Sequence, residues 1–235
     1  MNLLAIDSAT EKLSIAIAVN STAAASDTWL FEADAGLRHS ELAMDIIDIL
    51  MQKAALKPED LSGVVCMGGP GSFTGLRIGF SLAKGLALSL DLPFAAIPTL
   101  DAIAWPFASW PGIIVPVIDA KKSAFFCAAY RSGKRLIPDM DASPAEIARS
   151  ISGTLQAEPA SQILLTGPGA ELLYEQLSGL IPGVMLGKKL RYGNAATLLE
   201  IAAETNVWAK NTNNHSSGPE YIRKSDAELM RQEHP

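Results

Sequence analysis

The chain has 235 residues and a formal net charge of −6, with 49% hydrophobic and 19% charged residues. This length is sufficient for one large domain or two small domains with a buried core. The acidic balance argues against a free-standing nucleic-acid-binding protein, which normally carries a basic surplus. The two cysteines lie far apart in apolar runs, so they predict buried thiols and no disulfide or zinc site.

The first residues, MNLLAIDSAT, have neither the basic leader nor the long apolar stretch of a signal peptide. No run of the sequence reaches the roughly 20 apolar residues that are needed to span a bilayer. We therefore expect a cytoplasmic protein that has no contact with a membrane.

The first part of the chain predicts a meander of three strands, followed by helices and strands in alternation. Apolar runs separated by short polar turns indicate the strands, and apolar residues at helical spacing indicate the helices. We expect strands at 3–6, 13–19, 28–31, 61–67 and 94–97, and helices at 40–56 and 74–90. The order βββαβα, followed by a further strand, is similar to one half of an actin-like nucleotide-binding fold.

The second part of the chain repeats this layout more loosely. We expect strands at 113–119, 124–130, 134–137 and 162–166, helices at 144–151, 170–180 and 195–207, a polar loop at 211–220 and a charged tail. Pro98, Pro106 and Pro111 indicate a hinge between two α/β halves. The predicted halves are residues 1–105 and a smaller unit of residues 106–235.

Both helices of the first half are apolar over more of their circumference than contact with one sheet requires. A helix that covers a sheet needs an apolar stripe only a little over 100° wide, and these have roughly twice that. Either a thick core of the same chain surrounds them, or another protein covers their outer face, as contiguous exposed apolar surface usually indicates. We favour the partner. The residues assigned to the interface are Leu42, Ile46, Ile47, Leu50, Ile78, Leu82 and Leu86.

Two acidic turns have the chemistry of a metal–nucleotide site. Asp7 follows the first strand, and its carboxylate suits the water shell of Mg²⁺, while the hydroxyls of Ser8 and Thr10 suit phosphate oxygens. Asp119 stands in the same relation to its own strand, and a Gly-Pro-Gly turn precedes a later helix. The alternative interpretation is that these are structural turns without a ligand. The candidate nucleotide contacts are Asp7, Ser8, Thr10, Asp119, Gly167 and Gly169.

The stretch GGPGSFTGLRIG, residues 68–79, leads from a buried strand into a helix whose predicted N-cap is Thr74. It lacks the lysine and hydroxyl that close a P-loop, although backbone N–H groups at a helix start can hold an anion. We interpret it as a structural loop whose glycines allow the two helices to pack closely. The sequence contains no His-x-x-x-His pair and no nucleophile with a neighbouring base, so we predict no catalytic residue and no metal site.

Five segments of the chain together resemble the bacterial TsaB (YeaZ) family. They are LAIDSATEKLSIAI, LRHSELAMDIID, GGPGSFTGLRIGFSLAKGLA, IPTLDAIAW and the late PEYIRKSDAE. The resemblance implies an α/β actin-like ATPase fold of the HSP70 and sugar-kinase type, with two βββαβα-type halves, the second reduced. It also implies a role in tRNA modification, the formation of threonylcarbamoyladenosine at adenosine 37 of tRNAs that read ANN codons.

The resemblance further implies that the chain is a non-catalytic scaffold and activator. A TsaD-like paralogue would transfer the threonylcarbamoyl group, a TsaE-like ATPase would support turnover, and tRNA would be bound through the complex. The N-terminal helices would form the dimer with TsaD, and the chain would also self-associate. We expect no cofactor in this chain, with ATP and Mg²⁺ acting at the level of the complex, so that any nucleotide contact at the two turns is vestigial.

Two enzymatic alternatives stay open at this point. The first is a small-molecule kinase or ATPase of the actin-like class, with Asp7 and Asp119 around Mg-ATP. The second is a metallopeptidase, in line with the older glycoprotease label of the wider family. When IPTLDAIAW is aligned on the metal-binding histidine pair of the catalytic sister, the two histidines fall at Asp101 and Trp105. Since tryptophan cannot ligate a metal, we do not expect peptidase activity.

Overall fold

The computed structural model describes residues 1–22, 27–36, 38–157, 162–187, 194–205, 207–208, 218–220 and 222, with only the backbone of 154–157. The strands are β1 Leu3–Asp7, β2 Lys12–Val19, β3 Asp27–Asp34, β4 Gly63–Gly69, β5 Phe94–Pro98, β6 Ile113–Asp119, β7 Phe125–Arg131, β8 Lys134–Ala142, β9 Ile163–Thr166 and β10 Val184–Leu186. The helices are α1 His39–Lys53, α2 Phe73–Ser89, α3 Thr99–Ala104, α4 Pro144–Ala157, α5 Ala170–Leu177 and α6 Ala195–Glu204. None of the described helices is long and apolar enough to cross a membrane.

The strands form two five-stranded sheets with matching topology. The first sheet has the order β3-β2-β1-β4-β5, and the second has the order β10-β9-β6-β7-β8. In the first sheet β1–β2 and β2–β3 are antiparallel pairs, while β1–β4 and β4–β5 are parallel. The second sheet repeats this arrangement, with β6 in the place of β1. The repeated order confirms the predicted actin-like fold with two related halves.

The two faces of the first sheet have different side chains. Successive residues of a strand point to opposite faces, and on β1 and β2 the large residues, such as Leu4, Ile6 and Ile15, belong to the core cluster beneath α1 and α2. Alternate positions, among them Ala5 and Ala16, belong to the cluster that contains α6. The sheet is therefore covered by a helix pair on one face and by a single, closely packed helix on the other.

The helix α6 comes from the second half of the chain but packs on the first sheet, against β1, β2 and β4. Its N-cap is Asn194, whose side chain accepts a hydrogen bond from the Thr197 N–H at 3.0 Å. One further backbone N–H at the helix start, that of Ala195, donates to Ser14 Oγ of β2 at 3.0 Å. Residues far apart in sequence thus complete the core of the first half.

The second sheet is covered by α4 and α5 on one face and by α3 on the other. Ile147 of α4 and Leu173 of α5 pack with Val115 of β6, whereas Leu100 of α3 packs with Phe126 of β7. The helix α3, which we did not predict, also contacts β4, β5 and α6. It therefore lies between the two sheets. Most of the predicted polar loop at 211–220 and of the charged tail lies outside the described residues.

Candidate functional site

The turn between β1 and β2 holds three of the candidate nucleotide contacts. Asp7 is buried, and its Oδ1 accepts a hydrogen bond from the Ala9 N–H at 2.9 Å, which makes an Asx-type turn. Burial raises the pKa of Asp7 from 3.8 to about 7; the hydrogen bond from Ala9 opposes this shift and the charge of Glu32 adds to it. Near neutral pH, Asp7 is therefore partly protonated.

Both hydroxyl groups of this turn form hydrogen bonds within the protein. Ser8 is buried, and its Oγ donates to the carbonyl oxygen of Gly75 in α2 at 2.8 Å. Thr10 Oγ1 accepts from the Lys12 N–H at 3.2 Å. The Ser8 hydroxyl thus joins the turn to the helix that begins beside it, so that its donor is already used.

Three of the five glycines of GGPGSFTGLRIG, namely Gly71, Gly75 and Gly79, face this turn and not the helix α1, which differs from our sequence interpretation. A methyl carbon built on Gly75 would lie 2.0 Å from the Ser8 carbonyl oxygen, and one on Gly79 would lie 2.1 Å from Ser8 Oγ. One on Gly71 would lie 2.4 Å from the carbonyl oxygen of Ala9. The absence of side chains at these positions allows the first two turns of α2 to contact the β1–β2 turn directly.

The N-cap of α2 is Ser72 and not Thr74 as predicted. The helix begins at Phe73, and Ser72 Oγ accepts a hydrogen bond from the Gly75 N–H at 3.3 Å. The Ser72 N–H in turn donates to the carbonyl oxygen of Ala9 at 2.7 Å. The cap residue is therefore also an anchor to the β1–β2 turn, and the whole stretch acts as a structural joint.

The corresponding turn of the second half contains Asp119. Its Oδ1 accepts from the Lys121 N–H at 2.7 Å, and its Oδ2 forms an ion pair with Lys121 Nζ at 2.9 Å. Partial burial raises the pKa of Asp119, but both hydrogen bonds and the charge of Lys121 outweigh it, so the pKa is lowered. Asp119 raises the pKa of Lys121, and the charge of Glu11 adds to that shift.

The Gly-Pro-Gly turn lies against the end of β6. Gly167 has a φ of +98°, in the region that favours glycine, and a methyl carbon on it would lie 2.4 Å from the Val117 carbonyl oxygen. A methyl carbon on Gly169 would lie 2.6 Å from the Asp119 nitrogen. The structure therefore brings Gly167 and Gly169 together with Asp119, where the glycines permit close backbone contact between α5 and β6.

The structure divides the residues that we assigned to a partner surface on α1 and α2 into a buried group and a half-buried group. Ile46, Ile47 and Leu50 are only 6%, 6% and 7% exposed and lie in the core cluster beneath the helices. These three residues stabilise the monomer, because they fill the space between α1 and the sheet. The other four assigned residues are half-buried, and they are Leu42, Ile78, Leu82 and Leu86. Three of these, Leu42, Leu82 and Leu86, also pack against this cluster.

Three large apolar residues on the outside of this helix pair were missed by the sequence interpretation. Met44 and Ile49 of α1 are 48% and 52% exposed, and Leu88 of α2 is 51% exposed. On a helical wheel they border the polar residues of each helix. An apolar residue beside the polar arc is a better signal of exposure than one in the middle of the apolar arc, because the latter points to the sheet.

Comparison with known proteins identifies the family. The model of the family described as TsaD, tRNA N6-adenosine threonylcarbamoyltransferase, matches residues 33–229. The chain belongs to the TsaD family. Within it the chain is of the TsaB (YeaZ) type: it is 29% identical to the tRNA threonylcarbamoyladenosine biosynthesis protein TsaB of Bacillus subtilis, over 97% of this chain and 96% of that protein.

Two solved structures show the same fold. The structure of YeaZ from Pseudomonas aeruginosa has a TM-score of 0.72 at 21% identity and covers 94% of this chain and 99% of that chain. An inorganic polyphosphate/ATP-glucomannokinase from Arthrobacter has a TM-score of 0.50 at 14% identity, covering 87% of this chain and 99% of that chain. The fold of this TsaD-family chain is thus shared with a sugar kinase.

The positions aligned on the histidine pair of the catalytic sister lie on and just after α3 in this TsaD-family chain. Asp101 accepts hydrogen bonds from the Tyr130 hydroxyl, at 2.5 Å, and from Arg135. Trp105 begins a short 3-10 turn that follows the helix. Within the described part of the chain, no group of three or more His, Cys, Asp or Glu residues is placed to hold a metal ion.

Proposed function

We propose that this chain is a non-catalytic scaffold and activator subunit in the formation of threonylcarbamoyladenosine. It dimerises with a TsaD-like paralogue, which modifies adenosine 37 of tRNAs that read ANN codons. The observation that carries this proposal is the exposed apolar surface on the outside of α1 and α2. The name of the Bacillus subtilis relative, a tRNA threonylcarbamoyladenosine biosynthesis protein similar over nearly the whole chain, supports the pathway.

The outer side of the helix pair combines apolar residues with charges of opposite sign. Ile78, Leu82 and Leu86 recur every four residues, so they form one half-buried stripe along α2. On α1, exposed Asp45 and Asp48 stand beside exposed apolar side chains, whereas α2 presents Arg77. We expect the partner to offer a second pair of helices whose surface is apolar at the centre, basic opposite α1 and acidic opposite α2.

The two turns support a role without chemistry in this chain. The Ser8 hydroxyl donates to α2, and Asp119 is held by Lys121. A nucleotide at either place would have to break these interactions before it gained its own. We propose that ATP and Mg²⁺ act at the level of the cytoplasmic complex, where a TsaE-like ATPase supports turnover and tRNA is bound through the assembled subunits.

The first test is association with the paralogue, measured by sedimentation of the mixed proteins. We expect a heterodimer with wild type and at least about tenfold weaker binding for Ile49→Glu and Leu82→Glu, because each places a charge in an apolar contact. Leu172→Glu is the matched control, since Leu172 of α5 is 45% exposed and Ile49 is 52% exposed. If Ile49→Glu and Leu82→Glu both bind the paralogue as wild type does, and their circular dichroism shows that they are folded, the partner does not bind at the outer side of α1 and α2.

The second test is nucleoside mass spectrometry of bulk tRNA from cells depleted of this protein. We expect threonylcarbamoyladenosine to fall on depletion and to return with wild type or Leu172→Glu, but not with Ile49→Glu. An unchanged level would contradict the proposal.

A kinase or ATPase is the second candidate, because the fold is shared with a sugar kinase. Saturable, Mg²⁺-dependent ATP binding by the isolated chain, abolished by Asp7→Ala, would favour it. The isolated scaffold is expected to show no such binding.

A further inference from the structure

A cavity of about 570 Å³ lies where β5, α3 and α6 meet the strands β6 to β8 of the second sheet. Most of its wall is apolar, with Ile97, Trp105, Ile114 and Ile201 among the lining residues. A few polar side chains, chiefly those of Asp101, Tyr130 and Arg135, complete it. Pockets for small molecules are typically of this kind, with roughly 300–1,000 Å³ of space, apolar walls and a few convergent polar groups.

One carboxylate oxygen of the cavity wall, Oδ2 of Asp101, is available as a hydrogen-bond acceptor. The Tyr130 hydroxyl donates to Asp101 Oδ1 at 2.5 Å, and the Arg135 guanidinium forms an ion pair with the same oxygen. No described residue donates a hydrogen bond to Asp101 Oδ2. Asp101 is held in place through one oxygen, and its other oxygen can accept a hydrogen bond from a ligand.

Two carboxylates contact the guanidinium of Arg135 at the cavity. Among the described residues that line the cavity, Arg135 is the only cation, and it also forms an ion pair with Asp139 at 2.5 Å. Partial burial raises the pKa of Asp139; Arg135 opposes this shift, and the charges of Asp101 and Glu220 add to it. Asp101 and Asp139 thus share one guanidinium, so a cation or an N–H donor is favoured over an anion beside these carboxylates.

The aromatic part of the wall favours a flat ligand. Trp105 lies four residues after Asp101, so that an indole ring and a carboxylate line the cavity from neighbouring turns. A ring with a cationic group can pack its face on an indole while the charge meets a carboxylate. We propose that this cavity binds a small organic cation, an amine or amidine on a flat apolar body, with Asp101 as its counter-ion and Trp105 as its apolar contact.

The test uses three probes of the same shape: benzamidine, which is a cation, benzamide, which is neutral, and benzoate, which is an anion. Binding to the full chain is measured by NMR titration, following the indole N–H of Trp105 and the amide of Thr205, which also lines the cavity. We expect saturable binding of benzamidine with a Kd on the order of 1 mM, typical of a ligand this small. Benzoate should bind at least about tenfold more weakly, because it meets an unpaired carboxylate oxygen.

Two variants locate the binding. In Asp101→Asn the amide oxygen can still accept from Tyr130 and Arg135, so we expect the fold to stay and benzamidine to bind about tenfold more weakly. Trp105→Ala should weaken the binding of both benzamidine and benzamide, because both probes pack on the indole ring. The control is Asp91→Asn, which removes an exposed carboxylate after α2 and should change nothing. Absence of saturation, equal binding of benzoate, or unchanged benzamidine binding by folded Asp101→Asn would each overturn the proposal. The test needs no partner protein, so it is independent of the proposed function.

Discussion

Ser8 and Gly75 are joined by a hydrogen bond and by a close backbone contact. The Ser8 hydroxyl donates a hydrogen bond to the Gly75 carbonyl oxygen at 2.8 Å, and the Ser8 carbonyl oxygen occupies the space where a side chain of residue 75 would begin. The β1–β2 turn and the first turn of α2 are thereby fixed against each other. The position of the helix that carries the proposed partner surface follows from this joint.

Replacement of Gly75 by alanine should destabilise the protein. The added methyl group would lie 2.0 Å from a backbone oxygen, which cannot move alone, so we expect a loss of about 1–3 kcal/mol in the free energy of unfolding. The matched control is Gly85→Ala in the same helix, where nothing lies within 4 Å of the added carbon. It should stabilise by about 0.5–1 kcal/mol through helix propensity. Urea denaturation measures the free energy of unfolding of both variants. Equal changes for Gly75→Ala and Gly85→Ala would contradict the close contact between Ser8 and Gly75.

The effect of Gly79→Ala on the free energy of unfolding should depend on the side chain of residue 8. Its methyl group would lie 2.1 Å from Ser8 Oγ, an atom that Ser8→Ala removes. In a double-mutant cycle we expect Ser8→Ala to reduce the cost of Gly79→Ala by about 1 kcal/mol or more. Ser8→Ala should leave the destabilisation by Gly75→Ala unchanged, because the methyl group at residue 75 meets the backbone of Ser8 and not its side chain. Additive effects for the pair Ser8 and Gly79 would show that the contact carries no energy.

Asp7 should make stability depend on pH. Its pKa is about 7 in the folded protein and 3.8 ordinarily, so the folded state binds more protons between these values. The free energy of unfolding should therefore fall as the pH rises through this window, by between about 1 and 4 kcal/mol from this residue. In Asp7→Asn, whose side-chain oxygen still accepts from Ala9, this part of the decline should vanish. Parallel curves for wild type and variant would refute the assignment.

The two thiols should be unreactive while the protein is folded. Cys66 and Cys127 are 1% and 0% exposed. Burial raises the pKa of the Cys66 thiol far above its ordinary range and that of Cys127 to about 12, so little thiolate forms. With a chromogenic disulfide reagent we expect colour only after denaturant is added, whereas Ser81→Cys, at an exposed position of α2, should react at once. Rapid reaction of the native wild type would be inconsistent with the core described.

Much of the fold could be predicted because its signals are local. The meander of β1 to β3 follows from apolar runs between polar turns, and α2 was predicted within one residue of its ends. The helix α3 was not predicted, since its six residues between two prolines are too few to show a period. The strand β10 has only three residues and was missed for the same reason.

The candidate site was less accessible to sequence reasoning, because its interactions join distant segments. The acidic turns were found, but nothing in the sequence indicates that Ser8 donates to Gly75. The wide apolar arc of α1 was recognised, yet its centre, Ile46 and Leu50, turned out to be core. A helical wheel gives the width of an apolar arc but not the direction of the sheet, so the exposed flank at Ile49 became visible only in the structure.

The placement of α6 has a consequence for synthesis on the ribosome. The alanine-rich face of the first sheet is covered by residues 195–204, which follow every strand of that sheet in the sequence. All strands of that sheet leave the ribosome well before this helix does. The growing chain must therefore keep one face of its first sheet uncovered, or covered by a chaperone, until α6 has also emerged.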